Sequence, residues 1–291
     1  MSRRYLFVLN PISGEGDDRG EVIEFLSQQL HGIDLEILET TGKESDSKRI
    51  REVLSKGKWD GLLVGGGDGT VKMVVEAVIG FYLPFGIVPL GSANGMATCL
   101  GIHSISDACH AVMKGDTRAV DLWRINGEVF VHLSDFGFNA GLIKRSRYEG
   151  ARGMMAYFRS SLAQFVELKP YHFIIKFNEK VLEVDAKMLV IANGDKYGTG
   201  ALINPQGKVD DGVFEIVALN PEGFEDILRL SIELFKGTLA DSDMVKIWST
   251  DKAEISNPDG ADFQIDGEVM AETTTIKVYP EEEKINFYCL E

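Results

Sequence analysis

Cysteine is scarce in this 291-residue chain: Cys99, Cys109 and Cys289 are the whole set. An odd, sparse set does not make a disulfide framework and reads as a reducing, cytoplasmic compartment. Basic residues are outnumbered, 30 Lys and Arg against 45 Asp and Glu, for a formal charge of −15. That balance excludes a broad basic surface for nucleic acid, although acidity alone names no partner. Apolar runs are short. Tyr5 to Leu9 falls below the length of a signal-peptide core. Residues 77–102 carry no charge, but Pro84, Pro89 and five glycines break them, so they read as a buried strand between tight loops rather than a membrane span. Internal repeats, low-complexity segments and the Walker phosphate pattern are also missing. His31, His103, His110, His132 and His172 show no metal spacing, and Cys99, His103, Cys109 and His110 fit no zinc pattern.

What the chain does have is enough apolar residues, 44%, for a sizeable core. Over the first 120 residues strand and helix signals alternate. Strands are expected at 5–10, 33–38, 61–65 and 85–90. Helices are expected around Val22–Leu30, Ile50–Leu54, Val71–Val78 and from Ser104 to Lys114. Such alternation predicts a parallel sheet flanked by helices. After residue 116 the rhythm changes. TRAVDLWRI and EVFVHLSDF flank Asn126-Gly127, a strong hairpin signal. Strands follow at 171–177, 180–184, 187–192 and 213–219, with helices around 151–168 and 222–236 and short strands over 244–289. The expected fold is an α/β N-terminal domain, residues 1–120, and a mainly antiparallel β C-terminal domain, residues 121–291. A cleft is expected between them, and the extreme C-terminus is free to return to the first domain.

The strongest local signal is LLVGGGDGT at 62–70, a glycine-rich loop leaving a strand and entering a helix. Glycines let an anion approach the backbone, and a helix N-terminus offers unpaired N–H groups and partial positive charge. Asp68 would repel a bare phosphate, so it calls for Mg²⁺, or water bound to it, to neutralise the site. Thr70 can cap the helix or bond a phosphate oxygen. A rival phosphate motif, Gly14, Gly16 and Gly20 after the first strand with Glu36 or Glu39 further on, resembles a dinucleotide fingerprint. Its spacing is loose and Glu15, Asp17 and Asp18 crowd it.

GGDGT together with NPISG at the first strand resembles the diacylglycerol kinase catalytic family and its soluble bacterial lipid kinases, a superfamily shared with sphingosine kinases, NAD kinases and phosphofructokinases. PLGSANGMA (89–97), YGTGALINPQGKVDDGVFEI (197–216) and FQIDGE (263–268) resemble further family segments in the right order. The resemblance implies phosphoryl transfer from ATP to a lipid hydroxyl. It places Asn10, Pro11, Ile12, Ser13, Gly14, Thr41, Gly66, Gly67, Asp68, Gly69, Thr70, Val71, Lys72 and Ser92 along the nucleotide. It assigns Mg²⁺ to the Lys208 carbonyl, the Asp211 carboxylate and the Val213 carbonyl, and proton acceptance to Glu268, with Asp68 as the second catalytic acid. Two positions depart from the family pattern: Asn94-Gly95 stands where Asn-Asp is usual, and Ser92 replaces a threonine but keeps its hydroxyl.

Transfer of a phosphoryl group needs alignment, charge neutralisation and a base for the acceptor hydroxyl. On an acidic protein, Lys144, Arg145, Arg147, Arg152 and Arg159, interleaved with Met154, Met155, Tyr157 and Phe158, suit an anionic bilayer as well as an ordinary packed helix. The expected partners are therefore a nucleotide and a lipid met transiently at the inner face of the membrane; a homodimer is left open. The alternatives are a kinase for sphingoid bases or NAD, and a catalytically silent lipid- or nucleotide-binding protein.

Overall fold

The computed structural model describes residues 2–13, 19–43, 45–137, 168–197 and 201–290. They divide into two units, one running to Leu122 and resuming at Glu281, the other Trp123–Pro280.

In the first unit, β1 (Arg3–Leu9), β2 (Ile33–Glu39), β3 (Gly61–Gly66) and β4 (Phe85–Pro89) pair in parallel. Helices α1 (Arg19–Gln29), α2 (Asp46–Lys56) and α3 (Asp68–Val78) connect them. Strand β1 from Tyr5 on and the whole of β3 are apolar or glycine and buried, as strands covered on both faces must be. Helix α3 buries Val71, Val74, Val75 and Val78, and α2 buries Ile50 and Leu54. Past β4 come a short helix, α4 (Gly95–Cys99), then α5 (Ile105–Lys114) and β5 (Thr117–Val120). The Ser104 hydroxyl caps α5 by accepting the Asp107 N–H at 3.1 Å, and Gly115 closes it at φ 82°. Near the far end of the sequence β20 (Ile285–Tyr288) completes the sheet, whose order is β2-β1-β3-β4-β20-β5. Strand β20 lies parallel to β4 and antiparallel to β5. The uncharged stretch 77–102 is thus divided among the end of α3, β4 and α4. No helix among the described residues is long and apolar enough to cross a membrane.

The second unit opens with β6 (Trp123–Ile125), β7 (Glu128–Phe130), β8 (Leu133–Gly137), β9 (Tyr171–Phe177), β10 (Lys180–Ala186) and β11 (Met188–Ala192). A small ribbon, β12 (Lys196–Tyr197) with β13 (Ala201–Leu202), precedes β14 (Phe214–Leu219) and α6 (Phe224–Lys236). Then come β15 (Val245–Thr250), β16 (Ala253–Ser256), β17 (Phe263–Ile265), β18 (Glu268–Val269) and β19 (Thr275–Pro280). Two antiparallel sheets, β10-β9-β16-β19-β6-β7 and β15-β14-β11-β8-β17-β18, enclose a core built on Trp123, Phe136, Phe173, Phe214 and Phe263. A second core joins Val190 and Val217 to Ile227 and Leu230 of α6. Asn126 (φ 51°) and Gly127 (φ 97°) form the expected β6–β7 turn.

Both expected hairpin arms need correcting. TRAVDLWRI is not a single arm: Thr117–Val120 belongs to the first sheet beside β20, and only Trp123–Ile125 pairs with β7. Nor is EVFVHLSDF: Glu128–Phe130 pairs with β6, while Leu133–Gly137 runs in the other β sheet between β11 and β17. The helix expected over 151–168 and the basic segment 143–160 lie outside the described residues.

Candidate functional site

The order β2-β1-β3-β4 reverses direction between β1 and β3, and ligands of open α/β sheets bind beyond the carboxyl ends of strands at such a point. Asn10 ends β1 and Gly66-Gly67 ends β3. The Asn10 N–H donates to the Gly65 carbonyl at 2.8 Å, and its Nδ2 donates to the Thr70 hydroxyl at 3.0 Å. Asn10 also accepts the Ile12 N–H at 3.2 Å through Oδ1, folding Pro11 to Ser13 into a turn with Ile12 exposed. Gly14 lies outside the described residues.

The glycines of the loop are required first by the protein's own packing. A Cβ on Gly66 would lie 2.6 Å from the Thr70 side chain, and one on Gly91 only 2.4 Å from the Gly67 Cα. The loops after β3 and β4 therefore touch backbone to backbone, and the Leu90 N–H bonds the Gly66 carbonyl at 3.2 Å. Gly67 is the N-cap of α3, whose first helical bond is Val71 N–H to Gly67 O at 3.0 Å. The N–H groups of Asp68, Gly69 and Thr70 precede that bond and so lack an i−4 acceptor within the helix. Val71 and Lys72, placed along the nucleotide by resemblance, are both buried within α3.

Asp68 is engaged more locally than a waiting metal ligand would be. Its two oxygens accept the N–H groups of Gly95 (3.1 Å) and Met96 (3.2 Å), the first residues of α4. Asn94, at φ 51°, turns the chain into α4 and bonds Gly91 twice, Oδ1 from its N–H at 2.8 Å and Nδ2 to its carbonyl at 2.7 Å. A carboxylate at Gly95 would add a second negative charge to the turn Asp68 already occupies, a physical reason for the departure Asn94-Gly95. Ser92 is exposed on the same loop. Thr41 follows β2, its N–H (2.7 Å) and hydroxyl (3.0 Å) both held by buried Asp46. Burial works against that carboxylate, but bonds from Thr41, Arg49 and Lys43 outweigh it and hold its pKa below the usual value.

Within the second unit, Glu268 is exposed at the start of β18, and its hairpin is braced from below. Asp266 and Gly267 take φ 47° and 84°. The buried Asp266 carboxylate accepts N–H groups from Val131 (2.8 Å), His132 (2.9 Å) and Leu133 (3.1 Å). Burial nevertheless outweighs those donors and pushes its pKa up to about 6. The Gly267 N–H donates to Gln264 Oε1 at 2.7 Å, and Gln264 Nε2 donates to buried Asp135. In the segment assigned to metal, Lys208 and Asp211 are exposed and Val213 is half-buried. Gly212 (φ 79°) lets Asp211 Oδ1 accept the Val213 N–H at 3.3 Å. Among the described residues no three His, Cys, Asp or Glu side chains converge on a metal position. One carboxylate and two carbonyls remain an oxygen-only set, and that chemistry fits Mg²⁺.

Sequence reasoning singled out Asn94 only as a departure from the family pattern and missed its hold on Gly91; Gly91, Gln264 and Asp135 left no local signal.

The diacylglycerol kinase catalytic-domain family model matches residues 4–125. The model for the YegS C-terminal NAD kinase beta sandwich-like domain matches residues 137–286, just over half the chain. The chain belongs to the diacylglycerol kinase and YegS-like lipid kinase family. A diacylglycerol kinase of Mycobacterium tuberculosis is 28% identical over 89% of this chain and 86% of its own length. An uncharacterized protein of Synechocystis is 25% identical over 93% of this chain, which spans 66% of that relative. A solved diacylglycerol kinase structure from Bacillus anthracis superposes with a TM-score of 0.77 at 21% identity, covering 99% of this chain and 97% of that one. At that identity the likeness speaks for the fold, and it agrees with the α/β unit and antiparallel β unit described above.

Proposed function

We propose that this family member transfers the γ-phosphoryl group of ATP, with Mg²⁺, to the hydroxyl of a diacylglycerol-like lipid met at the inner face of the membrane. The observation that carries the reading is the switch-point loop. Asn10, Thr70, Gly66, Gly67 and Gly91 fix the glycine-rich entry to α3 at the switch point, where a polyphosphate binds in such sheets.

The N–H groups opening α3, with its partial positive charge, bind the phosphates. Asn10 and Thr70 fix the loop, Thr41 and Ser92 offer hydroxyls beside it, and Asp68 positions α4 and the Asn94 turn. Lys208 and Val213 carbonyls and the Asp211 carboxylate would hold Mg²⁺, which when bound offsets negative charge on the transferring group. Glu268 takes the proton from the lipid hydroxyl, a base contribution of about 10²–10⁴-fold, or about 3–5 kcal/mol of barrier. Asp266, Gln264 and Asp135 keep its hairpin in one conformation.

The test is labelled ATP with Mg²⁺ and a panel of lipid alcohols, sphingoid bases and NAD. Label in a diacylglycerol phosphate is expected, and Glu268→Gln keeps nucleotide affinity while losing at least about a hundredfold in turnover. Label in a dinucleotide or sphingoid base replaces the proposed acceptor. Near-normal turnover by Glu268→Gln removes that residue from the mechanism.

A further inference from the structure

A carboxylate is rarely buried unless its oxygens are occupied, and Asp46 is occupied chiefly by one loop. The residue is 1% exposed at the start of α2. Its Oδ2 accepts the Thr41 N–H at 2.7 Å and the Lys43 N–H at 3.3 Å, and its Oδ1 accepts the Thr41 hydroxyl at 3.0 Å and Arg49 Nη1 at 2.7 Å. Burial opposes the charge, but the four bonds prevail and keep the group ionised.

An ionised carboxylate has no proton to give. The single hydroxyl proton of Thr41 is therefore committed to Asp46, and Thr41 Oγ1 keeps only lone pairs for anything else. An unattached threonine hydroxyl rotates to suit a donor or an acceptor; this one is fixed as an acceptor. Thr41 itself is exposed, so a ligand can reach it.

The place of Thr41 in the sheet says which part of a nucleotide meets it. Thr41 follows β2, the strand order is β2-β1-β3, and the helix opening on the phosphates follows β3. Two strand spacings, about 10 Å, separate the ends of β3 and β2. A nucleotide with its phosphates at α3 and its body across the Asn10 loop brings its far end, the nucleoside, to Thr41. A ribose hydroxyl both donates and accepts, so a freely rotating partner would serve it as well as a fixed one. Position 6 of a purine is different: the adenine amine only donates there, and the oxygen of guanine or hypoxanthine only accepts.

We propose, on the reading of this site as a nucleotide pocket, that Asp46 is a positioning residue that selects the base of the phosphate donor. It holds the Thr41 hydroxyl as an acceptor for the exocyclic amine of adenine and against the carbonyl oxygen of guanine or hypoxanthine.

Calorimetric titration of the full chain with the magnesium salts of ATP, ITP and 2′-deoxy-ATP tests this, with thermal melts by circular dichroism to establish that each variant is folded. Wild type is expected to bind ATP about three- to tenfold more tightly than ITP, and 2′-deoxy-ATP within about twofold of ATP. Asp46→Asn keeps an oxygen for the backbone N–H groups but turns an NH₂ toward Thr41, which frees the hydroxyl proton to point outward. The preference for ATP over ITP then falls to within about twofold or reverses. Thr41→Val removes the preference to the same extent, and adding Asp46→Asn to it leaves the ratio unchanged, because the effect runs through the hydroxyl. If Asp46→Asn does not fold, the Thr41→Val ratio decides. Equal affinity of wild type for ATP and ITP, a preference that survives Thr41→Val, or an Asp46→Asn variant that weakens both nucleotides alike overturns the proposal, the last because it marks a purely structural carboxylate. A loss with 2′-deoxy-ATP in place of ITP also overturns it, since the ribose would then lie at Thr41. Those results leave the nucleotide pocket standing; failure to bind any nucleotide removes the pocket and the proposal together.

Discussion

Replacing Asp266 by asparagine isolates a contest between burial and hydrogen bonding beneath the Glu268 hairpin. One carboxylate oxygen accepts the Val131 N–H and the other accepts those of His132 and Leu133. An asparagine turned to keep its carbonyl on His132 and Leu133 points its NH₂ at the Val131 N–H. One buried bond is lost and a donor stranded, a cost of about 1–3 kcal/mol. Against this stands the ionisation of the native group. Its pKa rises from 3.8 to about 6 on folding, burial being the largest cause. For an acid whose folded pKa is the higher, the favourable contribution is complete below the unfolded value and disappears as pH rises through the folded one. Between about pH 4.5 and about pH 7.5 wild type therefore loses about 2 kcal/mol that an amide does not lose, at about 1.4 kcal/mol per unit. Urea denaturation of both proteins across that range is the assay. The deficit of Asp266→Asn should be greatest at acid pH and shrink by about 2 kcal/mol toward neutrality. A deficit that grows with pH would mean the three N–H donors outweigh burial, and the reasoning would be refuted.

Gly91→Ala should cost about 1–3 kcal/mol, because its Cβ meets the Gly67 Cα rather than a movable side chain; it should also weaken nucleotide binding by calorimetry, and a fully stable variant would show that the two loops can part freely. Asp68→Ala leaves the Gly95 and Met96 N–H groups without their acceptor and should cost about 1–2 kcal/mol; hydrogen exchange should accelerate at residues 95–96, and unchanged protection there would contradict the anchoring role.

The parallel strands β1, β3 and β4 of the first unit were legible because each is a largely apolar run closed by Gly, Pro or Asn, and β2 because it alternates apolar and acidic residues, patterns that survive without knowledge of partners. The split of TRAVDLWRI was not, because it depends on β20, more than 160 residues away in sequence. The α4 helix escaped notice for a related reason: five residues beginning with glycine have no periodicity, and it is held by Asp68 from another loop. At the site, Gly66, Gly67 and Thr70 announced themselves, but the reading gave the glycines to a ligand, whereas the structure also spends them on contact with Thr70 and Gly91. Glu268 became visible through family resemblance alone, since an exposed acid after Asp-Gly is an ordinary turn. Its support, Asp266 on the 131–133 backbone and Gln264 on Asp135, is made of contacts between distant segments that local pattern cannot encode.

Strand β20 sits between β4 and β5, so the sheet that starts with Arg3 is closed by residues 285–288. During synthesis the first unit must therefore wait, with a gap between β4 and its edge strand β5, until the ribosome has passed the other. A premature stop within that strand would cripple the first unit, the portion translated before the other.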